Sequence, residues 1–335
     1  MDSRAVAAVR AGGAVGILGT GSCVPGNVVT NDEVGARAGV TDAWIRERTA
    51  IRERRWAKAD EATSDLAVVA GRRALDRAGV TAAEVCLVLV ATSTPDSPQP
   101  PTAVAVAAEL GVPAGVPAFD LNAVCSGFVF ALTTAERLIR TTGGHALVIG
   151  ADIYSRTLDP TDRRTVVLFG DGAGAVVLGP VRGGGVLATQ LASFPEQRDL
   201  IRVPAGGSRT PATTATLEQG LHYFAMDGRA VRRFVETRVG PLLRTFLDTH
   251  LGTSGAAPVH FVPHQANGRL TAALAAELGF PPERTHSTVE QYGNTGAASV
   301  AVTLDRAAAR LRPGDRVVLA GFGGGMSAAF ALVEW

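Results

Sequence analysis

Several residue types are scarce in this 335-residue chain, and each scarcity removes a class of protein. There are three cysteines, Cys23, Cys86 and Cys125. So odd and sparse a count builds no disulfide framework and points to a reducing compartment. The net charge is only +1, from 32 basic and 31 acidic residues, so no nucleic-acid or polyanion partner is implied. Lys58 is the only lysine, a compositional bias without mechanistic content. No uninterrupted apolar run approaches the roughly 20 residues of a membrane helix. The opening stretch "MDSRAVAAVRAGGAVGILG" is broken by Arg10 and glycines, unlike a secretory leader. The expectation is a cytoplasmic chain that needs no membrane.

What the chain does have is apolar residues, 46% of the total, and 39 glycines, enough for a large core with many tight turns. The length suits one large domain or two packed halves. Apolar runs at 14–20, 85–91, 117–122, 146–151, 174–178, 186–192, 259–263, 284–289, 316–321 and 328–334 read as strands. Runs such as "LVLVA" have no polar alternation and suit strands buried on both faces. Segments 64–78, 102–110, 126–141, 226–250, 267–278 and 297–311 read as helices. The alternation predicts an α/β fold with parallel pairs. The order also repeats. "VCLVLVATST", "FDLNAVCSGF" and "ALVIGAD" in the first part are matched by "VHFVPHQAN", "THSTVEQYGNTGAAS" and "RVVLAGFGGG" in the second. Two similar halves, 1–183 and 184–335, would place these loops around one cleft. The segment 203–219 is poor in large apolar residues and reads as a surface loop.

Three residues stand at corresponding strand ends. Cys125, in "AVCSGF", opens a helix whose N-terminus would favour a thiolate. A cysteine is also often buried as a small hydrophobe, the reading that suits Cys86 and Cys23. From the residue pattern alone both readings stay open for Cys125. His264 follows a strand in "FVPHQANGRL". It lies four residues from His260, about 13 Å along a strand, too far to share a metal ion, and no other spacing suggests a metal site. Asn294 in "YGNTGAAS" is either a turn residue or an amide donor at the mouth of the next helix. "GILGTGSCVPG" fails the dinucleotide-binding context, and "FGDGAGA" lacks a P-loop lysine. The "FGGG" run, 322–325, ends a strand, where bare N–H groups can face an oxyanion. A hydrolase elbow would need glycine at position 123, where Ala123 stands.

These strings, with "GTGSCVP", "TDAWIRERTAIRERR", "DPTDRRTVVLFGDGAGAVVL" and "FGGGMS", closely resemble the β-ketoacyl-acyl-carrier-protein synthase III family of the thiolase superfamily, from about Gly16 to Trp335. The resemblance implies a five-layered αβαβα fold of two similar halves, a homodimer, and no cofactor or metal. It implies a catalytic triad of Cys125, His264 and Asn294, and an oxyanion hole from the N–H groups of Cys125 and Gly324. It places Trp44 and Arg163 about the adenine of coenzyme A. Arg48, Asn267 and Arg269 would stand at the pantetheine, phosphate or carrier-protein entrance. Phe322 would lie next to the cysteine, and Gln99 would reach the partner subunit's acyl pocket. The implied chemistry is transfer of an acyl group from acyl-CoA or an acyl carrier protein to Cys125. An acceptor on a carrier protein follows, by decarboxylative condensation with a malonyl thioester or by plain transfer, in fatty acid, polyketide or antibiotic biosynthesis. Several positions depart from the family: Gln99 stands where an aromatic is frequent, Ser126 replaces alanine, Gly296 replaces serine, and Arg229 replaces a small polar residue. Gln99 and Gly296 suggest a roomier or more polar acyl pocket.

Overall fold

A computed structural model describes residues 13–251 and 257–335. The start of the stretch tested above for a leader, residues 1–12, lies outside the described residues. The first part of the chain runs β1 (Ala14–Cys23), β2 (Val28–Thr30), α1 (Asn31–Ala38), α2 (Asp42–Thr49), β3 (Glu53–Arg55) and α3 (Thr63–Ala78). It continues with β4 (Val85–Ala91), α4 (Thr102–Leu110), β5 (Ala118–Leu121), α5 (Gly127–Thr142), β6 (His145–Asp152) and β7 (Gly172–Val181). Next come β8 (Gly185–Ser193), β9 (Ile201–Arg202), α6 (Thr214–Glu218), β10 (Ala225–Met226), α7 (Gly228–Phe234) and α8 (Gly240–His250). The chain ends with β11 (Val259–Pro263), α9 (Gly268–Glu277), α10 (Val289–Tyr292), α11 (Ala298–Ala307), β12 (Arg316–Gly323) and β13 (Ser327–Glu334).

Two sheets share one plan. The first has the order β1-β7-β6-β4-β5, with β4 parallel to β5 and β6 and the remaining pairs antiparallel. The second has the order β11-β12-β13-β8, with β11 parallel to β12 and the rest antiparallel. Helices α5 and α11 lie between the sheets, and one core joins Phe128, Leu132 and Val300 to both of them. Helices α3 and α4 cover the outer face of the first sheet, and α8 and α9 that of the second. The result is the five-layered αβαβα arrangement of the thiolase fold. β4 is buried at every position except Cys86, as a strand paired on both edges requires.

Three expectations change. The strand expected at 284–289 is a single bridge between Phe261 and Thr285. The Gln265 side chain captures the N–H groups of Thr288 and Val289, so the backbone leaves the sheet and turns into α10. The helix expected at 226–250 is interrupted by a π-helical turn, Val235–Val239, just before Gly240 and Pro241. Proline lacks the N–H that would close the ordinary ladder, and a widened turn absorbs the defect. The expected loop 203–219 contains the short helix α6, capped by Thr213.

Candidate active site

The ends of β5, β11 and β12 and the loop before α11 meet at a cavity of about 570 Å³, lined by Cys125, His264, Asn294 and Phe322. Cys125 sits in a tight turn, Val124–Ser126, between β5 and α5. Val124 has φ 49°, a left-handed conformation that costs a β-branched residue on the order of 1–3 kcal/mol. Its N–H donates to Asn122 Oδ1 at 3.1 Å, and its side chain packs on Gly324. The glycines at the end of β12 are needed for contact: a Cβ at Gly323 would lie 2.6 Å from Cys125 Cβ. The strand end thus comes within reach of the thiol.

The N–H groups of Gly324 and of Cys125 itself lie against the sulfur and favour its charged form. Burial outweighs them. Together with the carboxylate of Asp152 it pushes the thiol up to about 12. The thiolate expected from the helix N-terminus is therefore not the resting state. Desolvation of a fully enclosed sulfur exceeds the field of one helix end.

His264 follows β11, and its N–H donates to Ala320 O at 2.7 Å. Its Nδ1 is 2.6 Å from Ser299 Oγ on α11, and Phe322 meets its ring edge-on at 5.4 Å. Burial pushes its pKa down to about 3, so the imidazole is neutral. Asn294 is anchored by its N–H to Leu168 O at 2.8 Å. Its Oδ1 accepts the Gly296 N–H at 2.9 Å, which fixes the amide orientation, and Nδ2 makes no hydrogen bond among the described residues.

Other residues sort themselves around this centre. Trp44, Arg48, Arg163, Asn267 and Arg269 all line the mouth. The guanidinium of Arg48 lies 4.5 Å from the Trp44 ring centroid, that of Arg163 5.9 Å. Asn267 caps α9 and donates to Arg48 O at 3.2 Å, and Arg269 donates to Glu47 O at 3.1 Å. Gln99 is exposed and does not line this cavity. Gly296 adds no room. It has φ 57°, and a side chain there would collide with Asp152 Oδ2 at 2.2 Å and Tyr154 Cε2 at 2.5 Å.

Sequence reading missed two groups. Phe169 and Phe224 line the cavity and interlock with Tyr154, with centroids 4.6, 4.8 and 5.6 Å apart. Asp152, fully buried, accepts from Ser93 N, Thr94 Oγ1 and Ala297 N, joining the end of β4 to the start of α11. Its only signal was an acidic residue ending an apolar strand. Among the described residues no cluster of three or more His, Cys, Asp or Glu side chains can hold a metal, and no helix is long and apolar enough to cross a membrane.

Fold and site together are those of a thioester acyltransferase of the thiolase type. The description of 3-Oxoacyl-[acyl-carrier-protein] synthase III matches residues 119–195, and that of its C-terminal part residues 252–335. The chain is 57% identical over 324 residues to the acetoacetyl CoA synthase NphT7 of Streptomyces sp., covering 95% of this chain and 98% of that one. The structure of 3-oxoacyl-(acyl carrier protein) synthase III from Pseudomonas aeruginosa superposes with TM-score 0.86 at 40% identity, covering 96% and 98% of the two chains. The priming β-ketosynthase of the R1128 polyketide pathway gives 0.88 at 36% identity, covering 97% of each. The chain belongs to the 3-oxoacyl-[acyl-carrier-protein] synthase III family of condensing acyltransferases.

Proposed function

We propose that this enzyme loads a short acyl group onto Cys125 and condenses it with a malonyl thioester. The observation that carries this reading is the convergence of one thiol, two backbone N–H groups, a neutral imidazole and a fixed amide on one apolar cavity. Cys125 sulfur attacks the donor carbonyl, its proton passes to the leaving thiol, and the Cys125 and Gly324 N–H groups hold the oxyanion. His264 Nε2 and Asn294 Nδ2 then donate to the carbonyl of the malonyl thioester. Its carboxylate leaves as carbon dioxide, and the resulting enolate carbon attacks the acyl-cysteine. The thiolate departs and the 3-ketoacyl thioester is released. An amide suits this role because it donates without titrating.

Phe169 and Phe224, backed by Tyr154, give the cavity an apolar wall suited to an acyl chain, and the similarity to an acetoacetyl CoA synthase supports a short one. Six arginines at the mouth, Arg48, Arg163, Arg164, Arg229, Arg232 and Arg269, suit the phosphates of a coenzyme A or carrier-bound thioester. The similarity to an acetoacetyl CoA synthase supports a coenzyme A thioester as acceptor beside the carrier-bound one. Gln99 keeps its proposed place toward a partner subunit. Intact-protein mass spectrometry with short acyl-CoA donors, followed by carbon dioxide release from labelled malonyl-CoA and malonyl-carrier, tests the reading. Acylation of Cys125 with release from either acceptor is expected. Acylation followed by transfer to a plain holo-carrier, without release, would replace condensation by an acyl shuttle.

A further inference from the structure

The oxyanion donor Gly324 belongs to a run of three glycines, Gly323–Gly325, and Gly325 has φ 127°. Such a run has few intrinsic preferences, so something else must hold the Gly324 N–H in place. Facing it, Val124 is held in a conformation it would not choose. Two loosely determined backbone segments, from different halves of the fold, must therefore be kept in register.

Two buried hydroxyls span the gap. Ser126 Oγ and Ser327 Oγ are 2.7 Å apart, and both residues are buried. Ser126 Oγ is also 2.7 Å from Ala123 O, its acceptor in the cysteine turn. Ser327 Oγ is 2.9 Å from Gly324 O, its acceptor in the glycine run. Two hydroxyl protons serve two of these three contacts at a time: Ser327 donates to Ser126 and Ser126 to Ala123 C=O, or Ser126 donates to Ser327 and Ser327 to Gly324 C=O. Each of these arrangements ties the two segments by one hydrogen bond between the hydroxyls and one to a carbonyl. Ser327 pairs with Gly323 across the β12–β13 turn, so it restrains the run from its own hairpin. Gly321 makes the approach feasible: a Cβ there would lie 2.9 Å from Ser126 Cα.

We propose that Ser126 and Ser327 are positioning residues that hold the oxyanion hole together across the two halves. The proposal rests on the reading of Cys125 as the acylated nucleophile, and its test separates the two. Acylation by a short acyl-CoA passes through an oxyanion. Alkylation by iodoacetamide displaces iodide at a tetrahedral carbon and forms none. In Ser126→Ala and Ser327→Ala, single-turnover acylation of Cys125 should slow about tenfold, a fraction of the loss when an oxyanion donor is removed outright. Alkylation needs the thiolate but no oxyanion, so it should fall by much less than acylation, by about threefold at most through the weakened contact of the Gly324 N–H with the sulfur, and its persistence also reports an intact fold. The double variant should be little worse than either single one, because the hydroxyls act as one unit. Ser327→Thr, which keeps the hydroxyl, should retain most of the acylation rate. Unchanged acylation in both alanine variants, or acylation and alkylation falling by the same factor, overturns the proposal. If wild type is alkylated at Cys125 but acylated by no short acyl-CoA, the underlying reading fails and the proposal with it.

Discussion

Ser299 Oγ sits 2.6 Å from His264 Nδ1, leaving Nε2 as the imidazole nitrogen without a protein partner among the described residues. Ser299 Oγ is also 3.4 Å from the Gln265 N–H, a long contact that leaves the hydroxyl proton free to go to Nδ1. In that tautomer Nε2 carries the proton. A neutral histidine, held neutral by burial, thus has a proton to donate on the nitrogen that no protein group occupies among the described residues.

The resting pair is thiol and imidazole, which sets the pH dependence of Cys125. Burial pushes the thiol up to about 12, so at every pH below that the thiolate is the minor form and grows about tenfold per unit. Iodoacetamide alkylation of Cys125 should accordingly rise with unit slope from pH 7 to pH 9, with no plateau. A plateau starting below pH 8 would mean that the N–H groups and the helix end win over burial.

Asn294 should be needed for condensation more than for acylation. In Asn294→Asp the Gly296 N–H keeps its acceptor but the donor is lost. Loss of one preorganised donor in a dry site is worth about 10²–10³ in rate. Carbon dioxide release should fall by that order while the acyl-enzyme still forms, as read by intact mass. Equal loss of both steps would reassign the amide.

At the mouth, Trp44 carries the guanidinium of Arg48 on its face. Stacking of a base on an aromatic ring is worth about 1–3 kcal/mol. Trp44→Ala should raise KM for acyl-CoA roughly tenfold with kcat little changed, as steady-state kinetics would show. A pantetheine thioester without the nucleotide should be turned over equally by both proteins.

Ala50 and Gly268 form a coupled pair behind that mouth. Ala50 ends α2 at φ 63°, and a Cβ on Gly268 would lie 2.8 Å from the Ala50 methyl and 3.0 Å from Thr49 O. Gly268→Ala should cost about 1–3 kcal/mol by overpacking. Ala50→Gly removes both the methyl and a left-handed strain of about 1 kcal/mol. Thermal melts should therefore find that Gly268→Ala lowers Tm less when added to Ala50→Gly than when added to wild type, and strict additivity of the two changes would rule out the coupling.

A histidine pair away from the cavity should respond to acid. His260 Nδ1 is 3.0 Å from His286 Nε2, and His260 Nε2 is 3.5 Å from Asp315 Oδ2, with Arg284 and Arg310 also facing the pair. Burial, then the neighbouring His260 and Arg310, push His286 down to about 4, against about 6.5 in the unfolded chain. Between those values the unfolded chain binds a proton that the fold refuses, so stability falls as pH falls through that window. In His286→Gln the loss of Tm between pH 7 and pH 5 should be smaller than in wild type. An equal loss would place the acid sensitivity elsewhere.

Much of this molecule was legible in its residues. Unbroken apolar runs marked the central strands, because a strand paired on both edges and covered on both faces has no polar side to show. The repeated order of loops put Cys125, His264 and Asn294 on one cleft, since each half follows the same sheet plan, although the segment before Asn294 is a single bridge and not a strand. Asn267 was singled out by the resemblance alone, and the expected helix 267–278 began one residue early, because the Asn267 side chain caps α9 instead of joining it.

Other features depended on contacts between residues far apart in the chain. The departure at 284–289 was invisible because Gln265, more than 20 residues away, captures the N–H groups a strand would have used. Gly296 read as added room, but Asp152 and Tyr154 occupy that space from another part of the chain. The charge state of Cys125 was misjudged for the same reason. A helix N-terminus is a local property readable in sequence, whereas the desolvation that overrides it arises only when both halves of the fold close over the sulfur.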